Sequence, residues 1–257
     1  MNRIITTLIT LLLIQLLVVN KTHSSETKVK DCFEKLNRAT FALNMGLDKV
    51  IFKPISKGYR KLPSPIRTGT SNALSNLSNL ITIPNNMLQG DFGSAANNSA
   101  RLLINTTIGI AGIFDPANSL GFEKREKEDF GQSLGVMGVG EGCYLVLPVL
   151  GPSTVRDTLG SLIAMNGGDV WHNITVRDDE EYVKEFKESD YWVSRVTSGV
   201  DFRAKNLEAF DAMEKNSVDL YATVRSLYLQ DRKKKINNSR GKTEAMDDGD
   251  WDTLENQ

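Results

Sequence analysis

Residues 138–153 read GVGEGCYLVLPVLGPS, and this stretch sets the terms for the rest of the chain. Three glycines, Gly138, Gly140 and Gly142, lead into an apolar run that Pro148, Gly151 and Pro152 then interrupt. Glycine admits φ > 0 and close backbone approach, while proline fixes φ and removes a backbone donor. The pattern therefore predicts neither a continuing helix nor a regular central strand. A short irregular hairpin over residues 143–149, holding a fixed shape with apolar side chains on show, is the expectation.

To either side the chain reads as helices. Asp31 and Glu34 have capping-box spacing. Phe33, Leu36, Thr40, Leu43, Leu47 and Val50 then recur at three- and four-residue steps, one apolar face with Asn37, Phe41 and Asn44 off its centre. Pro54 is expected to stop this helix. Ser64 and Pro65 read as the start of a second helix through Leu74 and Leu77, and a short one is expected over Asn85–Leu88. Asp91 caps a longer helix through Arg101, Leu102 and Asn105. From Ile108 to Phe122 the chain is apolar and glycine-rich with no helical stripe. That suits an interface or lipid, with a buried connection in an ordinary helical core as the alternative.

Glu123 to Asp129 reads as a solvated turn. Phe130 to Met137 follows as helix, with Gly131 and Gly135 allowing close packing. Ser153 is expected to cap a helix carrying Val155, Leu159, Leu162 and Ile163 that ends at Asn166-Gly167-Gly168. Arg177 to Glu188 is acidic and polar and reads as a surface helix or a connector. Val193, Val196, Val200, Leu207, Phe210 and Met213 mark one or two amphipathic helices, and Ser217 opens a last one. After Arg232 the composition predicts a disordered charged tail, residues 233–257. The fold class is all-α, a single domain of many short helices.

The chain has 257 residues, a formal net charge of −1 and two cysteines. Near-neutral charge gives no argument for nucleic acid. No internal run of about 20 apolar residues could span a bilayer. The apolar start, Ile4 to Val19 after Arg3, reads as a signal peptide over residues 1–24, which implies export.

Four segments carry a family resemblance: LNRATFALN at 36–44, RLLINTTIGIAGIFDPA at 101–117, DFGQSLGVMGVGEG at 129–142, and residues 203–232. Together they resemble the MlaA/VacJ family over about residues 31–232. The resemblance implies a ring-like, membrane-embedded helical protein of the Gram-negative outer membrane, facing the periplasm, that removes misplaced phospholipid from the outer leaflet. It places a pore ridge at Gly138, Gly140, Glu141, Gly142, Tyr144, Leu145, Leu147 and Pro148. The partners it implies are phospholipid, a trimeric porin and a periplasmic lipid carrier, with drive from an inner-membrane ATP-driven transporter. Asn37 and Phe41 would hold the first helix against the pore segment, or else serve as an amide cap and a core aromatic.

Most of the family carries a lipoprotein cysteine directly after the signal's apolar residues. Here Cys32 follows the charged VKD instead. Cys32 and Cys143 both stand where the family pattern has proline, which points to a disulfide between them. The alternative is two unrelated small apolar residues.

No catalytic constellation is visible. His172 stands alone, His23 lies in the signal region, and C-x-x-C, H-E-x-x-H and G-x-S-x-G patterns are missing. Gly241-Lys242-Thr243 lacks the first glycine of a phosphate loop, with Ile236 in its place. GVGEG has Cys143 where a dinucleotide fingerprint needs its third glycine. The reading is a non-enzymatic, cofactor-free phospholipid conduit. Its alternative is a structural envelope protein that uses its apolar segments only for attachment to membrane or porin.

Overall fold

A computed structural model of the chain describes residues 30–177 and 186–239. The signal segment, most of the Arg177–Glu188 connector and the chain beyond residue 239 lie outside the described residues. Helix dominates, and a two-stranded hairpin is the sole sheet described.

Helix α1 (Glu34–Leu47) passes through a π turn (Asp48–Phe52) into α2 (Lys53–Arg60), so Pro54 does not end it. In a regular helix the proline ring would press on the carbonyl four residues back. The wider turn, with Lys53 N–H bonded to Asp48 O, relieves that contact. The α1 stripe also faces the other way from expectation. Asn37 is 2% exposed while Val50 is 76% exposed, with Phe33, Leu36 and Leu43 open as well. Asp31 does not cap: the residue before α1 is Phe33, and the Asp31 carboxylate bonds elsewhere.

The same inversion holds throughout. Among the described residues, buried polar and charged side chains outnumber buried apolar ones, while many large apolar side chains lie on the surface. Water-soluble chains do the opposite with their largest apolar faces.

Helix α3 (Ser64–Leu88) is continuous and absorbs the separate helix expected at Asn85, with Pro84 inside it. Side chains serve carbonyls near the missing N–H: Thr82 donates to Ser78 O and Asn85 to Ile81 O. Helix α4 (Phe92–Thr107) starts at Asp91, which accepts from Ser94 N–H. The turn after it leaves Ile108, Ile110, Ile113 and Phe114 exposed, so it is not a buried connection. Helix α5 (Pro116–Ser119) follows.

Helix α6 (Phe130–Val136), capped by Asp129, packs on α7 (Val155–Ile163). A Cβ on Gly160 would stand 2.3 Å from Gly131 N. Gly160→Ala must push the two helices apart, and we expect it to cost about 1–3 kcal/mol, read from thermal unfolding in detergent. Between these helices lie β1 (Tyr144–Leu147) and β2 (Gly151–Thr154), antiparallel with Tyr144 opposite Thr154 and Leu147 opposite Gly151. Thr154, one residue later than expected, caps α7 by accepting from Asp157 N–H. Gly167, at φ 125°, ends the turn after α7.

Helices α8 (Val170–His172), α9 (Glu188–Lys205), α10 (Leu207–Asn216) and α11 (Leu220–Ser239) complete the chain. Asp219, not Ser217, accepts from Ala222 N–H at the start of α11. That helix continues past Arg232 to Ser239, and Ile236 is buried under Gly135. The ordered chain therefore extends beyond the boundary expected at residue 232.

Candidate functional site

The hairpin is held from its free edge by two carboxamides of α1. Asn37 Nδ2 donates to Tyr144 O (2.9 Å) and its Oδ1 accepts from Val146 N–H (2.9 Å). Two helical turns on, Asn44 Nδ2 donates to Leu147 O (2.9 Å) and its Oδ1 accepts from Val149 N–H (2.8 Å). A carboxamide carries one donor edge and one acceptor edge, so each asparagine stands in for a neighbouring strand residue. Because Val146 N–H turns to Asn37, Pro152 opposite it removes no ladder bond, which is why a proline fits in β2.

A disulfide joins Cys32 to Cys143 across 111 residues, with Cα atoms 5.6 Å apart. Tyr144 N–H donates to Lys30 O beside it (2.8 Å). Below the hairpin, Tyr144, Val146 and Tyr221 form the buried apolar cluster, and Phe41, Tyr228 and Leu229 pack against it. Phe41 meets Tyr221 edge-on at 5.6 Å.

Two charged networks anchor α11 to this assembly. Asp31 accepts from Asn37, Tyr221 and Arg225. Burial pushes its carboxyl up, but those three donors outweigh burial and hold it below its usual value. Burial and the facing Asp31 charge push the Tyr144 phenol up to about 12. In the second network Arg232 takes both oxygens of Asp129 (2.6 and 2.9 Å) and one of Asp157 (2.8 Å), with Tyr228 donating to Asp157 (2.7 Å).

Burial raises the Asp129 and Asp157 carboxyls, yet the donors, Arg232 foremost, leave both below the ordinary value. Folded carboxyls that bind protons more weakly than unfolded ones stabilise the protein above the unfolded pKa near 4. That stability is lost as pH falls through the folded values. We therefore expect the melting temperature to fall between pH 5 and pH 2, and the slope to shrink in Arg232→Met.

The expected ridge residues divide in the structure. Tyr144 is buried, Leu145 and Leu147 are half-buried, and Pro148 is exposed. Gly138 and Gly142 have φ of 95° and 72°, conformations that favour glycine. Gly140 has no positive φ and open space around it, so its backbone does not require glycine. Glu141 contributes its carbonyl, which accepts from Arg156 N–H (3.2 Å). The apolar residues most on show, Val149 and Leu150 at the hairpin tip, fall just outside the expected set. His172 is buried edge-on to Tyr191.

Open spaces lie around this core among the described residues. A cavity of about 170 Å³ lies at the hairpin tip among Phe41, Asn44, Val149, Pro152, Phe210 and Val224. Two larger ones lie between α3 and α9: about 420 Å³ beside Tyr59, Arg67, Ser71 and Lys205, and about 340 Å³ beside Leu77, Ile81, Lys127, Trp171 and Arg195. Among the described residues no group of His, Cys, Asp and Glu is placed to hold a metal ion.

The family model of the MlaA lipoprotein matches residues 29–235, which takes in both asparagines, the hairpin and most of α11. The chain belongs to the MlaA family. Similar MlaA proteins include the intermembrane phospholipid transport system lipoprotein of Escherichia coli, 32% identical over 78% of this chain and 76% of that one. The corresponding Haemophilus influenzae protein is 27% identical over 91% and 92% of the two chains. A Rickettsia prowazekii protein without an assigned function is 34% identical over 77% and 75%. A structure solved in work on the maintenance of bacterial outer-membrane lipid asymmetry superposes with a TM-score of 0.65 at 31% identity, covering 81% of this chain and all of that one. The largely helical MlaA fold of this chain is thus shared with a solved relative.

Proposed function

We propose that this MlaA chain is a passive conduit that takes mislocalised phospholipid from the outer leaflet of the outer membrane and releases it to a soluble periplasmic carrier. It thereby maintains lipid asymmetry. The observation that supports this reading is the inverted polarity: apolar side chains outside, amides and ion pairs inside, and amphipathic cavities between the helices. Such an exterior suits acyl chains. A polar, water-accessible interior lowers the several-kcal/mol cost of carrying a headgroup through an apolar layer.

No helix of the described residues is long and apolar enough to cross a membrane. A trimeric porin would hold the protein at its depth, and the N-terminal segment would direct export. Drive would come from an ATP-driven inner-membrane transporter acting through the carrier. The hairpin, clipped at Asn37 and Asn44, would set the width of the path.

Surface-exposed phospholipid on cells lacking the gene tests this. A rise on deletion is expected, reversed by the intact gene and only partly reversed by Asn44→Ala at equal membrane level. That variant loses the half-exposed clip, at about 1–2 kcal/mol of stability, while Asn37 still holds the other end. No rise on deletion, with the carrier present, would leave an attachment protein.

A further inference from the structure

The cavity of about 340 Å³ between α3 and α9 has two unlike walls. Leu74, Leu77 and Ile81 of α3 and the Trp171 ring supply an apolar one, and Lys127 and Arg195 stand on the other. Its size lies at the lower end of small-molecule sites, enough for a headgroup and the first methylenes of its chains.

Carboxylates also line the space, but each is engaged. Asp129 is taken by Arg232, Asp169 by Arg195 and the amides of Trp171 and His172, and Glu128 accepts from Gln89. Lys127 is open to water, yet the protein around it withdraws enough bulk solvent to lower its pKa, and Lys124, Lys205 and Arg195 act in the same direction. Asp201, an acidic group acting on it, is already bonded to Lys205 and Tyr59. With Arg195 held by Asp169, Lys127 stands in a walled and wetted space beside an apolar face, where its charge suits an anion with a lipid tail.

We infer that this cavity binds one phospholipid with its phosphate at Lys127, beside the Arg195–Asp169 pair, and its acyl roots along Leu74, Leu77, Ile81 and Trp171, favouring net-anionic headgroups over zwitterionic ones. The inference rests on the conduit reading and places the headgroup step away from the hairpin.

Trp171 is a built-in reporter. Of three tryptophans, Trp192 and Trp251 can be replaced by phenylalanine, leaving Trp171 alone in the full chain in detergent micelles. Phosphatidylglycerol with dibrominated acyl chains should quench Trp171 at about tenfold lower mole fraction than phosphatidylcholine with the same chains, because both phosphates accept from Lys127 alike and only choline brings a second positive charge against it. Lys127→Glu should erase that preference, and Lys127→Arg should keep it. Millimolar inorganic phosphate should not relieve the quenching.

Equal quenching by the two lipids, or a preference that survives Lys127→Glu, would overturn the headgroup assignment. No quenching by either lipid would overturn the site. Relief by inorganic phosphate would make it a free-anion site and overturn the lipid. If deletion raises surface phospholipid while Trp171 stays unquenched, this site fails and the conduit stands. Quenching without that rise fails the conduit alone.

Discussion

Asn37→Ala should unfold at markedly lower temperature than the parent protein and should leak phospholipid control even where it remains folded. The side chain is buried and completes three bonds, to Tyr144 O, Val146 N–H and Asp31. Alanine leaves a backbone donor and a backbone acceptor without partners inside the protein, at about 1–3 kcal/mol each. A loss of about 2–6 kcal/mol follows, measured as the shift in thermal or chemical unfolding in detergent. Phe41→Ala supplies the comparison. It removes edge-on packing on Tyr221 but leaves the hairpin edge bonded, so it should lower stability by about 2–4 kcal/mol with a smaller effect on surface phospholipid. If the two variants lose lipid control in proportion to stability alone, Asn37 is a core amide and not a clip.

That test separates what the sequence could and could not convey about α1. Hydrophobic periodicity gave the helix and the composition of its faces, but it does not say which solvent each face meets. Leu36, Leu43 and Val50 repeat as a core stripe would, and in this chain they face outward. Asn37 and Asn44 are seven residues apart beside that stripe, where a water-soluble helix would place solvated amides. Their partners lie 107 and 103 residues away, and an amide paired with backbone leaves no pattern at the other end.

The hairpin was legible because glycine and proline act locally, at Gly138, Gly142 and Pro148. Helix starts at Asp91 and the stop at Gly167 were legible for the same reason. Pro54 and Pro84 misled, since a π turn and side-chain bonds to carbonyls let helices continue through them. Charge runs were the least informative. Glu123 to Glu126 is exposed as expected, while Glu128 and Asp129 in the same run turn inward, and Arg232 at the expected edge of a tail is buried between two aspartates. The cavity lysine, Lys127, lay in that run and carried no signal of its own.

Breaking the Cys32–Cys143 bond should cost about 4–5 kcal/mol, because the closed loop is long and the chain-entropy gain grows with its length. Oxidised and reduced protein, or Cys32→Ser with Cys143→Ser, give the difference directly in unfolding experiments. Proline at the two positions, as in the family pattern, would also act by restricting the unfolded chain, so tether and proline are alternative means to one end. The bond and the Asn37 clip tie the same two pieces, the start of α1 and the start of β1. Their effects should therefore not add. With the disulfide intact, the hairpin remains beside α1 after Asn37→Ala, and its remaining contacts re-form as an intramolecular step. With the disulfide cut, the same substitution lets the hairpin leave. A double-mutant cycle should show Asn37→Ala costing at least about 1 kcal/mol more in the reduced protein than in the oxidised one. Additive effects would mean that the clip and the tether stabilise separate units, and the hairpin would then not move as one body with α1.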